Sequence, residues 1–360
     1  MRVAGRIRYS RALFTTETPM RRRTLLSASA ATLALPFAAR GQALEKPKLT
    51  IAVGGKNLLY YLPLTIAETQ GYFKSEGLEV TVADFAGGSR ALQALIGGSA
   101  DVTSGAFEHT INMQVKGQRL RAFVLQGRAP QIVLGVNPKT MPNYKTIADL
   151  KGKKIGVTAP GSSTNVLANF VLAKAGLKPS DVSIIGVGAG SGAVAAMRAG
   201  QIDAISNLDP VITLLSRSGD LKIISDTRIV AEADKIFGGP MPSGCLYTQQ
   251  SFLDKYPATA QALANAIVRA DKWIQNAGAS EIIKAVPENY LLGDRAVYVD
   301  AFLAAKGALS VDGMIPDAGP ETARRALASI DPEIASAKID LAAIWTNDYT
   351  KRANAKYPKG

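Results

Sequence analysis

A segment of 14 residues occurs twice in this chain, and this repetition constrains the fold more than any other feature of the sequence. Residues 88–101 align with residues 190–203 at a constant offset of 102, and six positions, occupied by Gly, Ser, Ala, Ala, Gly and Asp, are identical. Because a period near 100 residues is too long for a solenoid, the repeat predicts two related lobes.

Both copies of the repeat lie between short apolar segments that are typical of buried strands. These segments are residues 49–53, 78–83 and 102–104 in the first half, and residues 153–157, 182–187 and 204–206 in the second. Each half therefore has the order strand, helix, strand, helix, strand. This alternation predicts an α/β fold in which each lobe has a mainly parallel sheet covered by helices.

Two breaks in the pattern divide the chain. Residues 137–143 form a connector rich in Pro and Asn, and a Gly-Gly-Pro-Met-Pro segment occupies residues 238–242. From Ser251 onward the segments are helical, and since no third lobe follows, we expect them to return to the first lobe. We therefore assign residues 44–136 and 245–350 to lobe 1, residues 137–244 to lobe 2 and residues 351–360 to a frayed tail.

Residues 1–43 have the order of regions found in an export signal. Three consecutive arginines precede an uncharged run of about fifteen residues, and small residues follow up to Ala43. The run is shorter than the ~20 residues that span a bilayer, which predicts a signal peptide cleaved after Ala43 and a soluble periplasmic protein. Arg22 and Arg23 also fit a twin-arginine signal, and Met20 is an alternative start of translation.

The excess positive charge is concentrated in this leader. The whole chain carries a formal charge of +13, but residues 1–43 hold eight Arg and one Glu, so the remainder carries only +6. This balance gives little support for a nucleic-acid partner, and we expect none. The single cysteine, Cys245, and the single histidine, His109, exclude an internal disulfide, a Cys-rich zinc site and a Cys-ligated iron–sulfur cluster. No metal or cofactor is expected.

Three loops rich in small residues lead into predicted helices at the sheet edge where ligands of α/β proteins bind. They occupy residues 86–89, 160–164 and 188–191. Glycine lets a ligand approach the main chain, hydroxyls add donors, and free N–H groups at a helix start favour an anion or a carbonyl. Each loop also fits ordinary helix capping. The candidate ligand contacts from these loops are Gly88, Ser89, Ser162, Ser163, Thr164 and Ser191.

Other polar and aromatic residues are predicted at the same edge. Glu108 and His109 follow a predicted strand, and they either line the cleft or begin a helix with a favourable acidic residue. Asn207 occupies the matching place in the second half and is a further candidate. Asn57 and Tyr60 lie in the first loop of lobe 1, where the tyrosine either stacks on a ligand or packs in the core.

The motifs of three enzyme or nucleotide-binding classes are incomplete. A phosphate-loop spacing has Ser162 where the lysine belongs, and residues 188–193 fit a dinucleotide fingerprint whose repeat partner lacks the spacing. His109 is the one base available to a Ser-His-Asp triad, and neither Ser163 nor Ser191 has the flanking glycines of an esterase elbow. We therefore expect a binding protein with no catalytic residues.

Several short motifs between about residue 48 and residue 280 are shared with a known family. They include Gly-Tyr-Phe-Lys at residues 71–74, Phe-x-Gly-Gly-Ser at residues 85–89, Asp-Leu-Lys-Gly-Lys at residues 149–153 and Gly-Gln-Ile-Asp-Ala at residues 200–204. In these motifs the chain resembles the solute-binding proteins of the nitrate/sulfonate/taurine class of ABC importers. The resemblance is specific for the family and not for the ligand.

The resemblance implies a type II periplasmic-binding-protein fold, in which two lobes joined by two crossing segments enclose a ligand cleft. It implies a monomer that closes on a small organic anion and docks on an inner-membrane permease with its cytoplasmic ATPase. The resemblance favours a sulfonate, taurine, nitrate or another small organic anion, although Glu108 repels a bare anion unless it is paired or protonated. A molecule with an acidic head and a donor group, a planar heterocycle or an aromatic carboxylate would fit both the loops and Glu108.

Two alternatives to a transport role stay open. An enzyme of thiamine-pyrimidine synthesis shares the fold, but that enzyme has a cysteine-rich iron site, which Cys245 alone cannot build. A sensor that binds the same ligands without transport would have the same sequence pattern.

Overall fold

The computed structural model describes residues 43–359, so the predicted export signal lies outside the described residues except for Ala43. The chain first forms β1 (Lys48–Gly54), α1 (Leu62–Thr69), α2 (Tyr72–Ser75), β2 (Glu79–Phe85), α3 (Gly88–Ile96), β3 (Val102–Ala106), α4 (Glu108–Val115) and β4 (Leu120–Leu125). It continues with β5 (Val133–Val136), β6 (Lys154–Val157), α5 (Ser163–Lys174), β7 (Ser183–Gly186), α6 (Ser191–Arg198), β8 (Ala204–Asn207), α7 (Val211–Arg217), β9 (Lys222–Asp226) and α8 (Val230–Phe237). It ends with β10 (Gly244–Gln249), α9 (Gln250–Lys255), α10 (Pro257–Asn276), α11 (Ala279–Ala285), α12 (Arg295–Ala305), α13 (Gly319–Ala328), α14 (Pro332–Ser336) and α15 (Asp348–Lys356).

The strands form two five-stranded sheets, one in each lobe. Their orders are β2-β1-β3-β10-β4 in lobe 1 and β7-β6-β8-β5-β9 in lobe 2. The first three strands of each order are parallel neighbours, and the repeat places α3 and α6 at matching positions beside them. The central strand β1 is buried without interruption over residues 51–54, as expected for a sheet covered on both faces. The predicted two-lobe α/β architecture is confirmed.

Both sheets are mixed, because one strand in each runs against its neighbours. β10 pairs antiparallel with β3 and β4, and β5 pairs antiparallel with β8 and β9. Each of these strands is the first that the chain forms after it crosses between lobes. The sequence assigned residues 133–136 to lobe 1, but β5 pairs only with strands of lobe 2, so the boundary falls one strand earlier than predicted.

Two segments connect the lobes, residues 126–132 and residues 227–243, and they run side by side. The Gly127 N–H donates to the Gly244 carbonyl at 2.9 Å, and the Ser243 N–H donates to the Gly127 carbonyl at 2.9 Å. Paired connectors of this kind form a hinge, because a change of a few backbone dihedrals in them rotates one whole lobe against the other.

The helices after β10 contact both lobes. α10 packs on α1 and α15 beside lobe 1, whereas α12 packs on α7 of lobe 2, and α13 contacts α4 and α5. The predicted frayed tail is instead helical through Lys356, which pairs with Glu76 at 2.9 Å, and Ala353 is fully buried. Packing against α10 orders this segment, and the local composition of the segment gives no sign of that long-range contact. Within residues 43–359, no helix combines the length and apolar character needed to cross a membrane.

Candidate functional site

A narrow cavity lies between the lobes beside the hinge segments. The cavity volume is about 20 Å³, which is room for about one water molecule. Its wall combines the start of α4, the first turns of α5, both hinge segments and α13. A molecule bound here would therefore contact both lobes and the hinge. Its polar lining residues are Glu108, Ser163 and Ser243, and its apolar lining includes Val166, Leu167, Phe170, Phe237, Met241 and Leu327.

Glu108 is the one ionisable residue in the lining of this cavity. It begins α4 directly after β3, and it is only 3% exposed. Among the described residues, no basic side chain lies within ion-pair distance of its carboxyl. Burial raises the pKa of Glu108 to about 7, because the low-dielectric surroundings disfavour the charged form. A carboxyl that changes charge near neutral pH therefore faces the space between the lobes.

His109 is the next residue, but it faces a different neighbourhood. Its Nδ1 lies 2.9 Å from the Tyr247 hydroxyl, whose ring stands perpendicular to the imidazole, and its Nε2 is buried without a partner in the described part of the chain. A Cβ on Gly88 would stand 3.4 Å from the imidazole Cε1, so the ring lies beneath the start of α3. Burial lowers the pKa of His109 to about 4, so the imidazole is neutral at pH 7.

Tyr60 supports the cavity without lining it. Its hydroxyl accepts a hydrogen bond from the Ser243 hydroxyl at 2.9 Å, and its ring meets the edge of Tyr61 at 4.8 Å between centroids. Burial raises the pKa of Tyr60 and Tyr61, and the nearby Glu108 carboxyl raises both pKa values further. Both therefore keep their protons and fix the orientation of Ser243 and of the neighbouring wall.

The lobes touch directly at the rim of the cavity. The Ser89 N–H donates to the Ser162 hydroxyl at 3.0 Å, and the Ser89 hydroxyl donates to the Pro160 carbonyl at 2.9 Å. On a separate loop, the Asn57 amide donates to the Ala189 carbonyl at 3.0 Å. These bonds join lobe 1 to lobe 2, so the structure is a closed arrangement.

Close approach at this rim depends on glycine. A Cβ on Gly87 would stand 2.8 Å from the Ala159 Cβ, a distance that real Cβ atoms essentially never show. Any side chain at Gly87 would thus hold the lobes apart.

A larger groove adjoins the cavity. The groove has a volume of about 720 Å³, and α3, α4, α5 and α14 form its sides. His109 and Ser89 lie on its wall, and Val166 and Leu327 line both the groove and the cavity. The cavity and the groove therefore share part of one wall.

The remaining predicted contacts lie elsewhere. The Thr164 hydroxyl accepts the Thr158 N–H at 3.0 Å within lobe 2, and the Asn207 amide donates to the Gly188 carbonyl at 3.1 Å. Both side chains stabilise loops of lobe 2. Ser191 is exposed and lines another groove, together with Arg198 and Asn289. Of the eleven predicted contacts, the structure thus brings Glu108 and Ser163 into the cavity and places Gly88, Ser89, His109 and Ser162 around its rim.

Several cavity residues were not predicted from the sequence. Phe237, Met241 and Ser243 belong to the second hinge segment, and Leu327 belongs to α13. The Gly-Gly-Pro-Met-Pro break at residues 238–242 marked this region as a boundary, and it is the one signal that pointed there. No three His, Cys, Asp or Glu side chains are grouped to hold a metal within residues 43–359.

The two-lobe fold is shared with solved structures. A protein from Bordetella bronchiseptica RB50 is 66% identical, covers 88% of this chain and 100% of its own, and has a TM-score of 0.87. The alkanesulfonate-binding protein SsuA from Xanthomonas axonopodis pv. citri, bound to MOPS, is 22% identical over 84% of this chain and 99% of its own, with a TM-score of 0.66. The periplasmic nitrate-binding protein NrtA from Synechocystis PCC 6803 is 15% identical over 87% and 90%, with a TM-score of 0.66. The predicted periplasmic-binding-protein fold is confirmed.

Sequence relatives are mostly named as binding proteins. YtlA of Bacillus subtilis (strain 168) is 24% identical over 245 residues, 64% of this chain and 68% of its own. A binding protein of Brucella abortus (strain 2308) is 32% identical over 197 residues, 54% of this chain and 57% of its own, so the match spans little more than half of that relative. A 4-amino-5-hydroxymethyl-2-methylpyrimidine phosphate synthase of Schizosaccharomyces pombe is 27% identical over only 39% of this chain and 40% of its own.

A family model matches more than half of the chain. Residues 42–286 fit the model of the NMT1-like family, which covers both sheets and the two hinge segments that enclose the cavity. The resemblance to solute-binding proteins of ABC importers is confirmed at the level of family and fold. The chain belongs to the NMT1-like family.

Proposed function

We propose that this chain is the periplasmic substrate-binding component of an ABC-type importer, which captures one small solute between its lobes and delivers it to a permease. The observation that carries the proposal is the cavity between the lobes, whose wall is shared by both lobes and both hinge segments. A binding protein needs this arrangement, because a solute that contacts both lobes binds the closed form better than the open one.

Closure follows from the contacts at the rim. The bonds from Ser89 to lobe 2 and from Asn57 to Ala189 form only when the lobes meet. The cavity has room for about one water in this structure, so a solute enters when the lobes separate, and the lobes then close on it less tightly than they do here. Each such hydrogen bond contributes about 1 kcal/mol net, which is small enough for opening and closing to stay reversible.

The proposed delivery of the solute to a permease and the proposed periplasmic location follow from family membership. The predicted leader, residues 1–43, would export the chain, and the permease would bind the closed form and act with a cytoplasmic ATPase. A monomer suffices for this cycle, because the described chain supplies both walls of the cavity. The anionic ligand expected from the resemblance receives less support, since the one ionisable group in the cavity lining is an acid.

The experiment is ligand-induced closure of the mature chain from Leu44. A panel of taurine, nitrate, alkanesulfonates, aromatic carboxylates and aromatic amines is screened by thermal shift, since a solute bound to the native state raises the melting temperature. Each hit is then tested for compaction by small-angle X-ray scattering. A hit that compacts the chain supports the proposal. A panel without a hit, together with no small molecule released when the purified protein is denatured, would contradict it.

The enzyme alternative has weaker support. The pyrimidine phosphate synthase relative matches 39% of this chain, and Cys245 is the one cysteine in the sequence and is fully buried. Incubation of the chain with a bound solute and mass analysis of both would reveal covalent turnover. We expect both masses to stay unchanged.

A further inference from the structure

The charge of the cavity wall sets a limit on the solute. No Lys or Arg belongs to the lining, which contains one carboxyl, two hydroxyls and apolar side chains. Arg228, near the hinge, is already paired with Asp226 at 2.6 Å and with Asp209 at 3.1 Å. An anion brought into this space would thus find no free cation in the lining and would face Glu108.

The carboxyl of Glu108 has no cationic partner among the described residues. It is 3% exposed, and no described Lys or Arg lies within ion-pair distance of it. A buried ionised group without a partner is costly, and a cation that donates N–H bonds is the partner that offsets this cost most effectively. The hydroxyls of Ser163 and Ser243 line the same space and can accept further N–H bonds.

The rest of the wall suits an apolar body. The rings of Phe170 and Phe237 stack at 4.9 Å between centroids, and Leu167, Met241 and Leu327 complete this side. Pockets of this composition bury an apolar group and orient it through a few polar contacts. The polar lining is limited to Glu108, Ser163 and Ser243, so a matching solute has a polar head and an apolar body.

Resting on the function proposed above, we propose that the solute is a compact amphipathic cation, whose amine, amidine or guanidine head binds Glu108 and whose apolar body packs against Phe170 and Phe237. This assignment reverses the charge that the family resemblance predicts. It assigns Glu108 as the residue that selects cations over anions of the same shape.

The test uses two pairs of probes that differ in the charge of the head and share the benzene ring. Benzamidine and benzylamine are the cations, and benzoate and benzenesulfonate are the anions. Affinities are measured by calorimetry on the mature wild-type chain, on Glu108→Gln and on Glu79→Gln, a matched control at an exposed glutamate of β2 outside the cavity and the groove. We expect the wild type and the control to bind at least one cation and neither anion. In Glu108→Gln, that cation should bind about 10-fold to 100-fold more weakly.

The outcomes separate the two proposals. Binding of an anion by the wild type, with compaction, would overturn the charge assignment and leave the importer function standing. Equal cation affinity in the wild type and in Glu108→Gln, or no cation binding at all, would also overturn the assignment. If Glu108→Gln fails to fold, Glu108→Asp keeps the charge and should still prefer the cations. Failure of every solute in the larger panel to bind would count against the importer function itself.

Discussion

The stability of the empty protein should depend on pH through Glu108. The fold raises the pKa of this carboxyl from 4.5 to about 7, so the folded state holds the proton over a range in which the unfolded chain releases it. Stability from this group is complete below pH 4.5 and is lost as the pH rises through about 7. At about 1.4 kcal/mol per pH unit of difference, the loss amounts to roughly 3 kcal/mol by pH 8.

Replacement of Glu108 by Gln removes this loss, because the amide keeps the shape of the protonated carboxyl and cannot ionise. The free energy of unfolding of Glu108→Gln, minus that of the wild type, should rise by roughly 3 kcal/mol between pH 4 and pH 8. The difference is the quantity to measure, since His109 and other groups contribute equally to both proteins. Urea unfolding followed by circular dichroism at five pH values and constant ionic strength provides it.

The exposed control Glu79→Gln should show a difference that stays within about 0.5 kcal/mol over the same range. A difference for Glu108→Gln that is equally flat would refute the reasoning, because it would mean that Glu108 is ionised in the fold at its ordinary pKa. A difference that falls with pH would mean that an undetected cation stabilises the carboxylate.

Four further outcomes are expected. His109→Gln should gain stability relative to the wild type as the pH falls from 6.5 to about 4, by roughly 3 kcal/mol in urea unfolding, because the fold lowers the pKa of His109 to about 4 and only the unfolded chain takes up the proton over that range; an unchanged difference would contradict this. Gly87→Ala should reduce the solute-induced compaction seen in X-ray scattering and weaken solute binding at a nearly unchanged melting temperature of the ligand-free chain, because its Cβ would stand 2.8 Å from Ala159 in the closed form; compaction equal to that of the wild type would show that the rim yields. Ser89→Ala should weaken solute binding about 2-fold to 10-fold in calorimetry through the lost bond to Pro160, with Ser75→Ala, remote from the rim, as the control. Removal of residues 348–360 should lower the free energy of unfolding by at least about 3 kcal/mol, with a lower melting temperature, because α15 covers α10 with the buried side chains of Tyr349, Thr350 and Ala353; wild-type stability would show that α15 does not stabilise the fold by packing on α10.

The sequence predicts the lobes well because their signals are local and repeated. Apolar segments of strand length and an offset of 102 residues locate β1, β3, β6 and β8 to within a few residues. β5 is different, since its lobe is decided by pairing with β8 and β9, which come more than 60 residues later. The same holds for α15, whose order depends on the remote surface of α10.

The site was less predictable, because small donor-rich loops serve two purposes. The loops around Ser89 and Ser162 have the composition of ligand-binding loops, yet in the closed state they bond to each other. Glu108 could be identified as a candidate from its place after a strand. Ser243 and Leu327 could not, because the hinge and α13 reach the cavity only through long-range packing.

The repeat also explains why the cavity is chemically one-sided. At the offset of 102, Glu108 and His109 correspond to Pro210 and Val211, and the carboxyl of the neighbouring Asp209 is paired with Arg228 at 3.1 Å, so lobe 2 presents no unpaired carboxyl at this place. Two facing carboxyls would repel each other on closure, whereas a single one in lobe 1 can hold a cationic head while the cleft is open. Lobe 2 then closes over the apolar body with Phe170. Capture and closure are thereby assigned to different residues, so Glu108→Gln should weaken binding and leave the compaction at saturating solute unchanged, whereas Gly87→Ala should weaken binding and reduce the compaction.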